Sequence, residues 1–318
     1  MIISASYKTD IPTFYGDWFM RRLRAGYCKM VNPYNLTIYR VALTPEHTDG
    51  FVFWTKNARP FMSALREVRR LGYPFVVQYT INGYPRQLET SVVDHNRSMA
   101  TFRAIADEFG PKVAVWRYDP ILISSLTKKG DHLRSFKAIA KSLEGSTDEV
   151  VVSFAQFYQK TRRNLASAAR SEDFTFEDPE VLQKRELLAA LVEIATAHGM
   201  RLSICSQKLL LCPGTSEARC VDARRLEAVG AKRIGLPIAG NRPDCACYQS
   251  KDIGEYDTCP HGCVYCYAVQ NRGLAQRRFK RHDPDSEFLF QPPPSARELS
   301  NRQDPNLSLQ FLAGKATS

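Results

Sequence analysis

The sequence predicts an α/β fold, an incomplete or irregular parallel (β/α) TIM-like barrel carrying a cysteine-rich segment near its C-terminal end. Three observations predict it. From about residue 50 onward, short β-rich runs alternate with helix-period segments, the rhythm of βα units. No glycine-rich dinucleotide fingerprint follows any strand, which argues against an open doubly wound sheet. Polar residues close nearly every strand, as expected where a barrel gathers its reactive groups.

Taken in order, IISAS at 2–6 reads as the first strand, and Gly16 to Ala25 as an inserted helix with a strand at Leu36 to Leu43. FVFWTK at 51–56 is the next strand. Pro60 to Leu71 follows as a helix, with Phe61, Leu65, Val68 and Leu71 on one face and Gly72 to end it. FVVQYT at 75–80 is a third strand. The next helix buries Met99, Phe102, Ile105 and Phe109, stops at Gly110 and Pro111, and leads into KVAVWRY at 112–118. Leu133, Phe136, Ile139, Ala140 and Leu143 mark a helix before EVVVSF at 149–154. A longer helix from Val181 to Ala197 precedes RLSIC at 201–205. Asp222 caps a short helix through Val229, and RIGLPI at 233–238 is expected as a last strand. The predicted organisation is therefore a barrel-like domain at 1–240, a cysteine-rich segment at 241–282 packed at the mouth, and a Pro-rich polar tail or partner arm at 283–318.

Composition narrows the function. No stretch approaches the roughly 20 apolar residues of a membrane span, and MIISASYKTD does not read as a signal peptide, so a cytoplasmic protein is expected. Nine cysteines in a reducing compartment point to metal or cluster ligation before disulfides. The net charge of +11 favours anionic partners, nucleic acid among them. Its basic residues are spread, apart from the group Arg272, Arg277, Arg278, Lys280 and Arg281 directly after the cysteine loop.

That loop, TCPHGCVYCYA at 258–268, sets Cys259, Cys263 and Cys266 at spacings of four and three residues. Three sulfurs on one loop can hold three irons of a 4Fe-4S cluster and leave the fourth to a small molecule. A Cys3His zinc site that includes His261 is the alternative. Cys245 and Cys247 form a CAC pair that, with Cys205 and Cys220, can complete a second centre, either iron-sulfur or zinc. Cys212 is the expected bystander and Cys28 a structural thiol. The polar strand ends supply further candidates: Asp10, Lys56, Asn57, Arg117 and Asp119 as catalytic groups, and Gln78, Thr80 and Ser153 for cofactor binding. Arg117 offers a planar fork for a carboxylate, which Asp119 can orient.

Cys-x3-Cys-x2-Cys with Tyr265 before the third thiol resembles the cluster motif of the radical S-adenosylmethionine superfamily. The segments SASYKTDIPTFYGDWFMRRLRAGYC, FWTKN, QYTINGYP, WRYDPI, CAC and DIGEYDTCPHGCVYCYA resemble domain-of-unknown-function family 1848, a likeness covering roughly residues 1–275. FWTKN and WRYDPI are also loosely similar to barrel segments of spore photoproduct lyases. The superfamily resemblance implies a 4Fe-4S cluster, S-adenosylmethionine as cofactor, and an external electron donor such as flavodoxin or ferredoxin. It further implies a 5'-deoxyadenosyl radical acting on a substrate at the barrel mouth. Tyr265 or Tyr267 would then shield the metal or touch the adenine. Two departures stand out: the motif lies near the C-terminus instead of after the first strand, and no Gly-Gly-Glu-Pro segment is present. The alternative function is a basic nucleic-acid-binding protein stabilised by zinc or a closed cluster.

Overall fold

Runs such as IISA, FVVQYT and EVVVSF are apolar on both faces, the pattern of strands in a sheet that is covered on each side. The computed structural model describes residues 1–32 and 34–296. Eight strands pair in one sheet: β1 (Ile2–Ala5), β2 (Gly50–Thr55), β3 (Phe75–Thr80), β4 (Ala114–Ile121), β5 (Glu149–Phe154), β6 (Arg201–Ile204), β7 (Thr215–Glu217) and β8 (Ser250–Asp252). Every ladder is parallel, and the lateral order is β7-β6-β5-β4-β3-β2-β1-β8. Chain order is therefore kept across the sheet, and the last strand lies beside the first. Among the described residues no ladder joins β7 to β8, the pairing that would close a ring.

Nine helices cover and flank this sheet among the described residues: α1 (Ile11–Phe14), α2 (Gly16–Ala25), α3 (Met62–Arg70), α4 (His95–Phe109), α5 (Lys129–Leu143), α6 (Gln159–Glu172), α7 (Val181–Ala197), α8 (Ala223–Ala228) and α9 (Arg272–Lys280). Because strand side chains alternate, one face sends Ile3, Phe53, Val77, Trp116, Val152 and Leu202 into the large core with Phe19, Leu65, Phe102, Phe136 and Leu188 of the helices. The other face carries Ile2, Val52, Val76, Val115 and Val151, packed with Ala218, Val221, Leu226 and Ile234. Along this second face, residues turn polar toward the carboxyl ends of the strands: Ser4, Gln78, Arg117, Ser153 and Cys205 follow the aliphatic row. Parallel strands put those ends on one edge, so a functional rim is built by register alone.

The expected strand at 233–238 does not form; that stretch makes only an isolated bridge between Ile238 and Tyr248. The last two strands are instead TSE and SKD, three-residue edge strands whose polar composition carries no hydrophobic period to read. RIGLPI looked like a strand because of its β-branched and aliphatic content, yet Ile234 alone of it is buried. The helix α6 was also not anticipated. The strand expected at Leu36 to Leu43 is one arm of an antiparallel hairpin, Tyr27–Val31 with Ile38–Ala42. Of the expected tail, 297–318 lie outside the described residues. Residues 283–296 pack back on the molecule: Trp18 Nε1 donates to the Ser286 carbonyl at 3.0 Å, Lys29 pairs with Glu287 at 2.7 Å, and Leu289 is buried.

Candidate functional site

The chain leaves β8 and runs directly into the cysteine loop. Since β8 lies beside β1, this brings the loop to the same edge on which β1, β2 and β3 end. Asp10 closes that junction. It caps α1 by accepting the Thr13 N–H at 2.9 Å on one oxygen, while the other accepts the Lys56 N–H and meets His261 Nε2, each at 2.8 Å. A single carboxylate thus ties the ends of β1 and β2 to the loop. On the far side, Glu89 and Cys263 form an antiparallel bridge, and the Val264 N–H donates to the Leu88 carbonyl at 3.1 Å. Gly262 adopts φ +75°, and a Cβ there would lie 2.6 Å from Arg272 Nε, so conformation and space both demand glycine.

Cys259, Cys263 and Cys266 are partly exposed free thiols on this loop. Burial pushes all three above the ordinary thiol range, and their neighbouring charges add to it for Cys259 and Cys263. Against this, backbone N–H groups of His261 and Asp10 favour the Cys259 thiolate, and those of Ala268 and Val269 favour that of Cys266. The Ala268 N–H reaches Cys266 Sγ at 3.4 Å. Lys56 adds a cation that favours the thiolates of Cys263 and Cys266. Burial disfavours its charge, but Glu89, whose Oε1 lies 2.7 Å from Lys56 Nζ, and Cys263 hold the ammonium above the ordinary lysine range. Amide donors and a cation aimed at sulfur are what a metal-bound thiolate requires, and an added metal cation reverses the burial penalty. The donor set therefore fits an iron or zinc centre. The fit is one of chemistry and not of spacing: among the described residues, no group of three or more His, Cys, Asp or Glu side chains is placed so that it could hold a metal ion without rearrangement.

Glu89 is the residue the sequence did not single out. It is buried, and besides Lys56 it accepts the Tyr265 hydroxyl and, at 3.4 Å, Asn82 Nδ2. Asn82 also donates to the Asp119 carbonyl at 3.2 Å, which links this group to the end of β4. Its Oδ1 and the Nδ1 of His261 are buried without a partner among the described residues. The only signal for Glu89 was its place after a strand, nine residues beyond β3, too distant to read without the loop that covers it.

The spacing of Arg117 and Asp119 on β4 puts both on the face opposite the large core that Trp116 and Tyr118 enter. Arg117 gives Nε and Nη2 to the two Asp119 oxygens, and Nη1 to Gln78 Oε1 at 3.1 Å and Cys220 Sγ at 2.9 Å. All three nitrogens are thus taken by protein groups, and the guanidinium also lies over Trp54. Gln78 completes the tie by donating to the Cys220 carbonyl at 2.9 Å, and Ser153 reaches Asp119 at 3.4 Å. Asn57 spends its side-chain oxygen on the Arg59 N–H, and Thr80 lines a small cavity with Asn82, Glu89 and Ser98. Tyr267 donates to the Tyr7 carbonyl on the rim and lies under Arg242, while Lys160 lies over Tyr256. Cys205, Cys220, Cys245 and Cys247 gather beside Arg117 on the same face of the sheet, whereas Cys212 and Cys28 do not join them. Burial of the chain's own thiols does not govern Cys245: the Cys247 thiol and nearby N–H groups push it down to about 6.

An all-parallel α/β sheet with a cysteine-rich loop on its carboxyl edge defines a class: proteins whose site is assembled from strand ends and closed by thiols. The chain belongs to the family described as Domain of unknown function (DUF1848), which it matches over residues 2–268, ending two residues past Cys266. No curated protein and no solved structure matches it. No helix among the described residues is long and apolar enough to cross a membrane.

Proposed function

We propose that the protein is a radical S-adenosylmethionine enzyme of the cytoplasm, in which Cys259, Cys263 and Cys266 hold three corners of a 4Fe-4S cluster. One observation carries this reading: a loop with three thiols and no fourth lies on the carboxyl edge of the sheet, its sulfurs supplied with backbone donors and with Lys56. The strand order supports the finer fold reading of an incomplete (β/α) barrel. With β8 beside β1, a loop that follows the last strand reaches the rim that a loop after the first strand would occupy. The C-terminal displacement of the motif then costs nothing in position.

When bound, the cluster would supply the electron that cleaves S-adenosylmethionine reductively to a 5'-deoxyadenosyl radical, drawing it from a flavodoxin or ferredoxin. The chain's own residues hold and shield. Lys56 offsets thiolate charge; Asp10 fixes His261 and the Lys56 backbone; Glu89, Asn82 and Tyr265 form a buried brace that sets the loop against β3. Arg117 acts as an organiser of the rim, since its donors are already engaged. Lys160, Arg163 and Gln270 border an open surface hollow next to the loop, and Arg242 stands by Tyr267, which suits an anionic substrate.

The test is anaerobic reconstitution with iron and sulfide, then S-adenosylmethionine and dithionite. 5'-Deoxyadenosine should appear, and Cys263→Ser should abolish it. A loaded cluster whose spectrum and products ignore S-adenosylmethionine would overturn the reading. A second reading, a zinc-stabilised polyanion-binding protein, draws on His261: Asp10 holds its Nε2 while its buried Nδ1 lacks a partner among the described residues, the arrangement of a metal-ligating histidine. It predicts zinc in place of iron at this loop, and salt-dependent binding to nucleic acid.

A further inference from the structure

Four of the remaining cysteines come from three places in the chain, the end of β6, the turn after β7 and the CAC pair before β8. They nevertheless meet beside Arg117. Cys220 Sγ and Cys205 Sγ share a hydrogen bond at 3.4 Å, and the Val221 N–H donates to Cys247 Sγ at 3.4 Å. Cys205, Cys220 and Cys247 are buried in one cluster with Cys245 packed against it. Two guanidiniums donate to the sulfurs: Arg117 Nη1 to Cys220 at 2.9 Å and Arg242 Nη2 to Cys205 at 3.8 Å. The turn that presents the CAC pair is tight. A Cβ on Gly240 would lie 2.2 Å from the Cys245 carbonyl oxygen and 2.5 Å from its Cβ, so only glycine lets the two strands of this turn touch.

We propose that Cys205, Cys220, Cys245 and Cys247 form a closed four-thiolate site for a single divalent ion, zinc or iron. The close approach of Cys220 and Cys205 suits one ion better than a cluster. Four sulfurs at about 2.3 Å from one tetrahedral ion stand roughly 3.8 Å apart. The observed 3.4 Å between Cys220 and Cys205 is close to that edge. A four-iron cube places a core of metal and sulfide between its thiolates and holds them much further apart. Filling the site turns the row of thiol contacts into a tetrahedron, and the two arginines and the Val221 N–H offset its net negative charge. The ion would staple the segment that carries α8 to the end of β6. Through Cys220 it would also hold Arg117, and with it Asp119 and Gln78, at the rim.

The test uses the full chain with Cys259→Ser, Cys263→Ser and Cys266→Ser, purified without oxygen, so that only the second site can contribute. Elemental analysis should find about one zinc or one iron per chain and no acid-labile sulfide. Adding Cys220→Ser and Cys247→Ser should lower that metal at least tenfold. Should the five-fold variant not fold, cobalt(II) exchanged into the triple variant should give the intense thiolate-to-metal absorption of a four-sulfur site. A triple variant with neither bound metal nor that absorption overturns the proposal. So does metal that survives loss of Cys220 and Cys247, or iron accompanied by sulfide. The radical reading is tested on the unaltered chain by 5'-deoxyadenosine, so either idea can fail alone.

Discussion

Lys56 follows directly on β2, and its ammonium meets Glu89 at 2.7 Å while its charge favours the Cys263 and Cys266 thiolates. Removing it alone strands Glu89, and a buried charge left without its partner costs about 3–5 kcal/mol, which would blur any functional loss with unfolding. The neutral pair Lys56→Met with Glu89→Gln avoids this. We expect that double variant to stay folded by circular dichroism but to retain less iron after reconstitution and form 5'-deoxyadenosine at least tenfold more slowly. Iron loading and product formation at the unaltered level would mean that Lys56 serves only its ion pair. Lys56, Asp10 and the three loop cysteines were legible in the sequence because residue type and strand-end position point to them directly. Glu89 was not, since its role comes from a bridge to Cys263 across 174 residues of chain.

At the scale of elements, α2 shows how a segment read as a polar tail becomes part of the body. Trp18 is fully buried, and residues 283–296 return to it, bonding its indole through Ser286 and setting Leu289 into the core. Leu289→Ala should therefore destabilise the protein by about 2–4 kcal/mol, as a buried leucine truncation does. Chemical denaturation with Trp fluorescence measures it. A change below about 0.5 kcal/mol, the scale of ordinary surface substitutions, would show that this stretch contributes no packing. The sequence misled here because the apolar group FLF is short and embedded among Asp, Ser, Gln and Pro. Long, strongly periodic elements such as α4, α5 and α7 were read from their buried stripes, whereas β7 and β8, with three polar residues each, gave no pattern.

For the whole molecule, the decisive question is what the missing β7–β8 ladder does to the sheet. In an open sheet these two strands are edges, each with one row of unpaired backbone groups. Hydrogen exchange should then protect the amides of β2 to β5 most and those of β7 and β8 least, by on the order of a hundredfold. Equal protection in β7 and β8 would mean that the ring is closed in solution. The sequence by itself determined the parallel α/β class, the central strands β2 to β6 with the helices α3, α4, α5 and α7, and the identity of the thiols, because these follow from local periodicity and residue chemistry. Only the tertiary structure decided that β8 lies beside β1, and that the cysteine loop consequently joins Asp10, Lys56 and Glu89 on one rim. It also decided that Cys205, Cys220, Cys245 and Cys247 meet. Lateral strand order and contacts between distant segments are fixed by packing of the entire chain, which no local window of sequence encodes.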